Sequence, residues 1–249
     1  MDYNRSSRPE RDRLLRKLES IASLTEEEKQ ALLSLPMTVK EVPADRDIVS
    51  LGERPNACCL ILDGWACRYK MLPEGGRQIM SFHIPGDLPD LQSLYLDTMD
   101  HSLGTLVPTK VGVIQHRDMH DVVRRFEGIS RALWRDLLID AAIFREWMVG
   151  MGRRSAHQQI AHLLCEMATK LRAVGLNDGH TYPWPVTQQE MADALGLTDV
   201  HVNRVLRDLR NDGLLALVRG VFTATDWDGL KQLGQFDPGY MHMNPGLAA

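Results

Sequence analysis

The fold is decided by the stretch Thr187-Gln-Gln-Glu-Met-Ala-Asp-Ala-Leu-Gly-Leu-Thr-Asp-Val-His-Val-Asn-Arg-Val-Leu-Arg-Asp-Leu-Arg210. Thr187, followed three residues later by Glu190, is a capping box, which predicts that a helix begins here. Gly196 predicts a turn, and Thr198 shortly after it is a second candidate N-cap. Two short helices joined by a turn that contains glycine form a helix-turn-helix.

The second helix of this motif has two different faces. Its apolar residues follow the i, i+3, i+4, i+7 spacing of a buried stripe. The opposite face carries Val200, Asn203, Arg204 and Arg207. Arginine pairs with guanine, asparagine with adenine, and an exposed valine suits a thymine methyl group. We therefore predict that this helix enters a DNA major groove; the alternative is an ordinary amphipathic hairpin whose charged face meets water. The buried stripe consists of Val202, Val205, Leu206 and Leu209.

Composition places the chain among globular proteins. It has 249 residues, 44% hydrophobic and 25% charged, which predicts a substantial core and two domains. The net charge of −4 excludes a globally basic DNA-coating protein, so any positive potential must be local. The N-terminus lacks the apolar core of a signal peptide, and no apolar run is long enough to cross a membrane. We expect a cytoplasmic protein.

A series of short apolar runs follows two N-terminal helix candidates, one over residues 11–21 and one that begins at Thr25. Glycine, proline and acidic turns separate the runs, and this pattern predicts an antiparallel sandwich or roll. Asp63-Gly64 is typical of a tight hairpin turn. The runs are residues 37–42, 47–51, 57–63, 65–71, 78–84, 102–107 and 111–116.

A long helix is predicted from Ser130 to about Gly150. Apolar residues recur in it at spacings of four and three, which is a coiled-coil-like seam that needs a partner. That partner is either a second copy of the chain or the chain's own sheet. Trp134, Ile143 and Trp147 lie off the seam and are predicted to pack on the roll, and Gly150-Met-Gly152 is predicted to break the helix as a hinge. The seam consists of Leu133, Leu137, Ala141, Phe144, Met148 and Met151.

The remaining elements surround the helix-turn-helix. A helix over residues 157–173 precedes it, and strands over 214–218 and 221–225 follow it as a two-stranded wing. Arg219-Gly220 lies at the wing tip, where Arg219 is placed to meet a phosphate. Residues 226–233 are predicted to form a closing helix, and the tail rich in proline, glycine and methionine is predicted to be loose.

This order of elements resembles the Crp/Fnr family of bacterial transcription regulators. The resemblance rests on Pro85-Gly-Asp87, on residues 152–156 and 160–164, and on the motif over 187–209. It implies an α+β fold with an N-terminal antiparallel, jelly-roll-like β-roll, a long dimerisation helix and a C-terminal winged helix-turn-helix. The implied domains are residues 1–126, 127–152 and 153–249. The implied partners are double-stranded DNA with a palindromic operator, a second copy of the chain, and RNA polymerase.

The resemblance also assigns residues to the DNA interface. It places Thr187 and Gln188 against backbone phosphates, and Asp199, Val200 and Arg204 where family members carry their recognition residues. Since only the arginine is shared there with the cyclic-AMP-responsive branch, the preferred base sequence should differ. The predicted DNA-binding residues are Thr187, Gln188, Thr198, Asp199, Val200, His201, Asn203, Arg204, Arg207 and Arg219.

The β-roll of the family suggests an effector site, but the matching residues are unusual. Leu91 occupies the position of the ribose-binding carboxylate, and His101 that of the phosphate-binding arginine. Leucine accepts no hydrogen bond and histidine is mostly neutral at pH 7, so we expect neither cyclic AMP nor another cofactor. Asp90 is a possible replacement for the missing acid, and the effector is an unidentified small molecule or none. The candidate effector residues are Gly86, Asp87, Asp90, Leu91, His101 and Ser102.

The sequence gives less support to an iron–sulfur cluster, a redox sensor, a metal enzyme or a ligand-binding module without DNA function. No cysteine precedes Cys58, so the iron–sulfur ligands of the oxygen-sensing branch are missing. The four cysteines have no C-x-x-C spacing and are expected to be buried, although redox sensing by some of them stays open. A cupin-like metal enzyme would need clustered histidines, which here are scattered, and a ligand-binding module without DNA function would not need the helix-turn-helix. We expect neither a metal site nor enzyme activity. Haem binding also stays open, with His83, His101, His116 and His120 as candidate ligands, and the cysteines considered for redox sensing are Cys58, Cys59 and Cys67.

Overall fold

The computed structural model describes residues 8–177 and 179–244, and side chains from residue 11 onward. The chain divides into two compact units. The N-terminal unit comprises residues 1–70 and 80–138, and the C-terminal unit comprises residues 71–79 and 139–249. The class is α+β with antiparallel sheets, a long helix and a C-terminal helix-turn-helix, as predicted.

The N-terminal unit contains the roll. Two sheets form it, with strand orders β1-β7-β3 and β2-β6-β4-β5. Side chains of both sheets meet in a buried cluster that includes Cys59, Ile61, Leu103 and Val111. The elements are α1 (Arg8–Ile21), α2 (Glu26–Leu33), β1 (Thr38–Val42), β2 (Asp47–Val49), β3 (Ala57–Asp63), β4 (Ala66–Met71), β5 (Arg77–His83), a 3₁₀ turn (Leu91–Leu94), β6 (Ser102–Thr105), β7 (Thr109–Gln115) and α3 (His116–Arg125).

The turn at Asp63-Gly64 is tight, but the predicted hairpin is wrong. The two strands that flank it, β3 and β4, belong to different sheets, so the chain crosses from one sheet to the other here. Gly64 has φ of 85°, and a Cβ atom at this position would lie 2.6 Å from the Thr109 hydroxyl oxygen. Glycine is therefore required both for the backbone conformation and for the space.

The predicted helix break at Gly150–Gly152 is also wrong. Helix α4 spans Glu127–Arg153 without interruption, and the chain leaves it only at Arg154, one residue before the N-cap Ser155 of α5. A glycine weakens a helix by about 1 kcal/mol but does not end it without a cap. The division between the two units falls within α4, after Leu138.

The C-terminal unit carries the winged helix-turn-helix. A third strand, β8, extends the predicted wing and pairs with β10, giving the order β8-β10-β9. Three residues that end in proline are too short a pattern to predict a strand. The elements are α5 (Ala156–Ala173), β8 (Thr181–Pro183), α6 (Gln188–Leu195), α7 (Asp199–Asn211), β9 (Leu215–Val218), β10 (Val221–Ala224), α8 (Trp227–Leu233) and a 3₁₀ turn (Pro238–Met241).

The segment after α8 is not loose as far as residue 244. Phe236 and Met241 are buried, and the Tyr240 hydroxyl is hydrogen-bonded to the buried Glu166. This part of the tail therefore belongs to the core of the C-terminal unit. The remainder of the predicted loose tail, residues 245–249, lies outside the described residues.

No helix within residues 8–177 and 179–244 combines the length and apolar character needed to span a membrane.

Candidate DNA interface

The first helix of the motif, α6, begins as predicted. The side chain of Thr187 accepts a hydrogen bond from the Glu190 backbone N–H. In return, the Glu190 carboxylate accepts from the Thr187 backbone N–H at 2.7 Å and from its hydroxyl at 2.8 Å. This reciprocal cap satisfies amide groups that would otherwise be unpaired at the helix start. The cap therefore fixes the position of Gln188, the exposed first residue of α6.

The turn between the helices is also as predicted. Gly196 ends α6 with φ of 66°, a left-handed conformation that glycine adopts without a steric penalty. Thr198 then caps α7 by accepting a hydrogen bond from the His201 backbone N–H at 3.2 Å. The two caps and the glycine together set the angle at which α7 leaves the turn.

Helix α7 separates its apolar and polar residues as the spacing predicted. The predicted stripe of Val202, Val205, Leu206 and Leu209 is buried, whereas the side chain of Val200 is 74% exposed. Asn203, Arg204 and Arg207 are exposed beside it. The exposed Val200 thus lies among polar side chains, on the face where an apolar group can contact a thymine methyl group.

Two polar contacts shape this face, and the sequence did not reveal them. The Asn203 side-chain amide donates to the Gln188 side-chain oxygen at 2.9 Å, so the two helices are tied together at the surface. Asp199 accepts from the backbone N–H of Val200 at 2.8 Å, a cap-like contact at the start of the helix. Fifteen residues separate Asn203 from Gln188, and only the fold brings them together.

The wing presents Arg219 at its tip. Strands β9 and β10 pair in antiparallel register, with Val218 opposite Val221. Arg219 and Gly220, which connect them, have φ of 51° and 73°. Positive φ at both central residues is typical of a type I′ turn, the connection whose twist suits a two-residue hairpin. The exposed Arg219 thus has the placement that the sequence predicted.

Helix α4 carries an exposed apolar stripe, although its predicted composition needs one correction. Leu133 is buried within its own chain and offers no surface to a second copy. Its place is taken by Trp134, which is 52% exposed, and Leu138, which is 66% exposed. Trp134 nevertheless stacks on Tyr95 of the roll, with ring centroids 5.9 Å apart, so the prediction that it packs on the roll is confirmed although half of its surface is exposed. Trp147 is buried as predicted, but in the C-terminal unit, where it donates to Glu166 rather than packing on the roll. The exposed seam residues are Ala141, Phe144, Met148 and Met151, and Leu137 is half-buried.

Two of the candidate effector residues of the roll, Asp90 and Leu91, are buried within their own chain. The Asp90 carboxylate is buried, and its two oxygens share the hydrogen of the Cys59 backbone N–H, at 2.8 and 3.1 Å. Burial raises the pKa of Asp90 to about 7, against the opposing effect of those bonds. Leu91 lies in a 3₁₀ turn and is buried as well. The suggestion that Asp90 replaces the missing ribose-binding acid is therefore a poor fit to this geometry.

The other candidates around this loop hold the roll together. Asp87 forms an ion pair with Lys17 at 2.9 Å, and Gly86 lies so close to Arg13 that a Cβ atom would come within 3.0 Å of its carbonyl oxygen. The buried His101 donates from Nδ1 to Asp100 at 2.6 Å. The Ser102 hydroxyl accepts from the Leu51 backbone N–H at 3.0 Å.

The thiols and histidines considered for redox, haem and metal chemistry are similarly enclosed. All four cysteines are buried and unpaired in disulfides. Burial raises the pKa of Cys58 to about 12 and that of Cys59 well above its usual range, which suppresses the reactive thiolate. Across residues 8–177 and 179–244, no group of three or more His, Cys, Asp or Glu side chains has the arrangement to hold a metal ion. Each of three predicted haem candidates, His83, His101 and His116, lies within hydrogen-bonding distance of a protein side chain.

Comparisons with known proteins agree with this architecture. A family model described as a Crp-like helix-turn-helix domain matches residues 158–233, and one described as a cyclic nucleotide-binding domain matches residues 39–126. The nitrogen fixation regulation protein FixK of Bradyrhizobium diazoefficiens is 31% identical over 170 residues, covering 67% of this chain and 69% of that protein. The chain belongs to the Crp/Fnr family.

Further relatives of this Crp/Fnr protein are regulators too. The transcriptional activator protein FnrL of Cereibacter sphaeroides is 24% identical over 204 residues, with 80% of each chain covered. The structure of FixK2 from Bradyrhizobium japonicum superposes with a TM-score of 0.72 at 23% identity, covering 79% of this chain and 96% of that one. The fold is shared, and the protein is a DNA-binding transcription regulator.

Membership of the Crp/Fnr family does not by itself make the roll a cyclic-nucleotide receptor. The roll matches a family model that is described as a cyclic nucleotide-binding domain. The two positions that the family resemblance assigns to ligand recognition, Leu91 and His101, are a buried leucine and a buried histidine. Neither side chain provides a carboxylate for the ribose hydroxyl or a permanent cation for the cyclic phosphate. The residues present do not fit that ligand.

Proposed function

We propose that this regulator binds a palindromic operator as a homodimer and reads base edges with α7. The observation that carries the proposal is the exposure of Val200, Asn203 and Arg204 on one face of a helix whose other face is buried. A helix-turn-helix dimer places its two recognition helices one DNA turn apart. The exposed apolar stripe of α4, here Trp134, Leu138 and the exposed seam residues, provides the surface for the second copy.

Contacts with phosphate and with bases divide between different residues. Gln188 at the start of α6 and Arg219 at the wing tip are placed for phosphates, which position the protein without reading sequence. Arg204 suits a guanine edge, Asn203 an adenine edge and Val200 a thymine methyl group. The hydrogen bond that Asn203 donates to Gln188 uses one of the two amide hydrogens of Asn203, so the second hydrogen and the carbonyl oxygen are available to a base.

Replacing Arg204 by alanine tests the reading role. We expect specific DNA binding to weaken by about 1–3 kcal/mol and discrimination at one base pair of each half-site to relax. Operators selected from genomic fragments, followed by titrations against every single-base variant, measure both effects. Arg219→Ala is the matched control, since loss of a phosphate contact should weaken binding to all sequences and reduce the salt slope by about 1. Equal losses of Arg204→Ala on specific and random DNA would contradict the role.

The roll does not recognise cyclic AMP in this proposal, and its effector is a different small molecule or none. Addition of cyclic AMP should leave both the affinity for the operator and the thermal unfolding midpoint unchanged. A ligand that binds the folded state would increase the free energy of unfolding by mass action, by about 2.7 kcal/mol at a hundredfold excess over Kd, and would therefore raise the midpoint. Calorimetric scans with and without millimolar cyclic AMP measure this, and a rise in the midpoint would overturn the proposal.

The remaining roles follow from regulation of transcription. Several relatives are transcriptional activators by name, so we propose that the dimer activates transcription through contact with RNA polymerase in the cytoplasm. It does so without enzymatic activity of its own. Run-off transcription on a selected operator, with and without the protein, distinguishes activation from repression.

A further inference from the structure

A hydroxyl group lies between two buried polar side chains in the C-terminal unit. The Tyr240 oxygen is 2.6 Å from Glu166 Oε2 and 3.1 Å from His162 Nε2. The other ring nitrogen of His162, Nδ1, lies 3.0 Å from the carbonyl oxygen of Gly234. Glu166 also accepts from the indole N–H of Trp147 at 3.0 Å. Glu166 is 1% exposed and His162 is 5% exposed.

Counting protons shows that these groups need one more than their ordinary states provide. A carbonyl oxygen only accepts, so His162 Nδ1 carries a hydrogen, and in a neutral ring Nε2 is then an acceptor. A Glu166 carboxylate is an acceptor as well. The Tyr240 hydroxyl has a single hydrogen and cannot donate to both. The contacts of Tyr240 with Glu166 and with His162 can both be hydrogen bonds in two ways. Either Glu166 is protonated and donates to the Tyr240 oxygen, or His162 is protonated at Nε2 and donates to it.

Burial favours the location on Glu166. It raises the pKa of Glu166 above its usual range, and it lowers the pKa of His162. Other charges face the network from its neighbours: Glu146 on α4 raises both values, Arg154 lowers that of His162, and Lys170 on α5 lowers that of Glu166. A neutral carboxylic acid also avoids the cost of a buried charge.

We propose that Glu166, Tyr240, His162 and Trp147 form a proton-dependent clamp within the C-terminal unit. The clamp joins three elements: the end of α4 through Trp147, helix α5 through Glu166 and His162, and the terminal segment through Tyr240. When the shared proton is lost, the Tyr240 hydroxyl can donate to only one of its two acceptors. The buried Glu166 carboxylate is then also charged. The terminal segment and the end of α4 are then held less firmly.

The pH dependence has a definite sign. The pKa of Glu166 is higher in the folded chain than in the unfolded chain, so the folded chain retains the proton over a wider pH range. The stabilisation is complete below the pKa of the unfolded state and is lost as pH rises through the pKa of the folded state. For one proton, the equilibrium constant for unfolding should rise by at most about tenfold per pH unit in that window.

Glu166→Gln tests the clamp because glutamine imitates the protonated acid. Its amide donates to Tyr240 and its oxygen accepts from Trp147, so every bond persists without a titrating proton. We expect chemical unfolding of the full chain to lose this step in its pH dependence in E166Q. Glu190→Gln is the matched control, because it is the same substitution at a buried carboxylate of the same unit that accepts from Thr187; it should retain the step that E166Q loses. Parallel curves for the wild type and E166Q would overturn the proposal.

A second measurement decides the matter if E166Q does not fold. Infrared spectra of an Asp90→Asn chain, which lacks the other buried acid with a raised pKa, report a protonated carboxylic acid at Glu166, and ¹⁵N spectra of labelled histidine report the charge of His162. A proton on either residue that leaves as pH rises supports the clamp. A carboxylate at Glu166 together with a neutral His162 throughout the pH range overturns it.

Discussion

Replacement of Lys17 by methionine is expected to destabilise the N-terminal unit by about 3–5 kcal/mol, because it removes the cation from a largely buried group of charges. The Lys17 ammonium lies 2.9 Å from Asp87 and 2.9 Å from Asp136. Burial alone would lower the pKa of Lys17, but the nearby Asp136 and Asp87 carboxylates outweigh it and raise the pKa above its usual value. Methionine has a similar length and leaves two carboxylates without their shared partner. Urea unfolding followed by circular dichroism measures the loss.

Lys29→Met is the matched control for this prediction. Lys29 pairs with Glu19 at 2.7 Å in the same pair of N-terminal helices, but both side chains are more exposed. Exposed ion pairs contribute little to stability because water and salt screen them. The midpoint of the control should therefore stay close to that of the wild type. A Lys17→Met chain as stable as the control would show that the buried charges are compensated in another way.

Phe144→Glu is expected to abolish the dimer at micromolar concentration. Phe144 lies in the exposed apolar stripe of α4 and is itself 44% exposed. A glutamate in the dimer seam places an unpaired charge against apolar side chains of both copies, which should weaken association at least about 100-fold, or about 2.7 kcal/mol. A monomer presents a single recognition helix, so binding to the palindromic operator should fall with it. Sedimentation velocity and DNA titration measure the two effects.

Arg153→Glu provides the comparison on the same helix. Arg153 is exposed at the last position of α4 and lies on a different side of the helix from Phe144. The substitution introduces the same acidic side chain, so it should leave the sedimentation coefficient of the dimer unchanged. If Phe144→Glu also remains a dimer, the stripe does not form the seam. The surface for the second copy must then lie elsewhere.

Local patterns were sufficient for the helix-turn-helix. Thr187 and Glu190 form their capping box between residues three apart, and Gly196 adopts its positive φ from its own lack of a side chain. The spacing of Val202 and Leu209 places them on the buried face whatever the rest of the chain does. The wing turn at Arg219 and Gly220 is equally local. Such features depend on a few neighbouring residues, which is why the sequence predicts them well.

Features that depend on distant residues escaped prediction. The sequence could not show that the strands on either side of Gly64 belong to different sheets, since the pattern of each strand is the same in both arrangements. It placed Leu133 in the seam because residues 133 and 134 both have apolar neighbours at helical spacing. Only the burial of Leu133 within its own chain separates them. In the same way, Asp90 became a structural acceptor because the fold brings it to Cys59.

The sequence by itself determined the elements, the caps and the two-faced recognition helix, because each arises from hydrogen bonds and side-chain spacing within a few turns of chain. The tertiary structure alone decided which polar groups are buried together. Lys17 meets Asp136 across 119 positions, and Glu166 meets Tyr240 across 74. The energies of such buried groups depend on the loss of water around them, and that loss is set by packing rather than by local sequence.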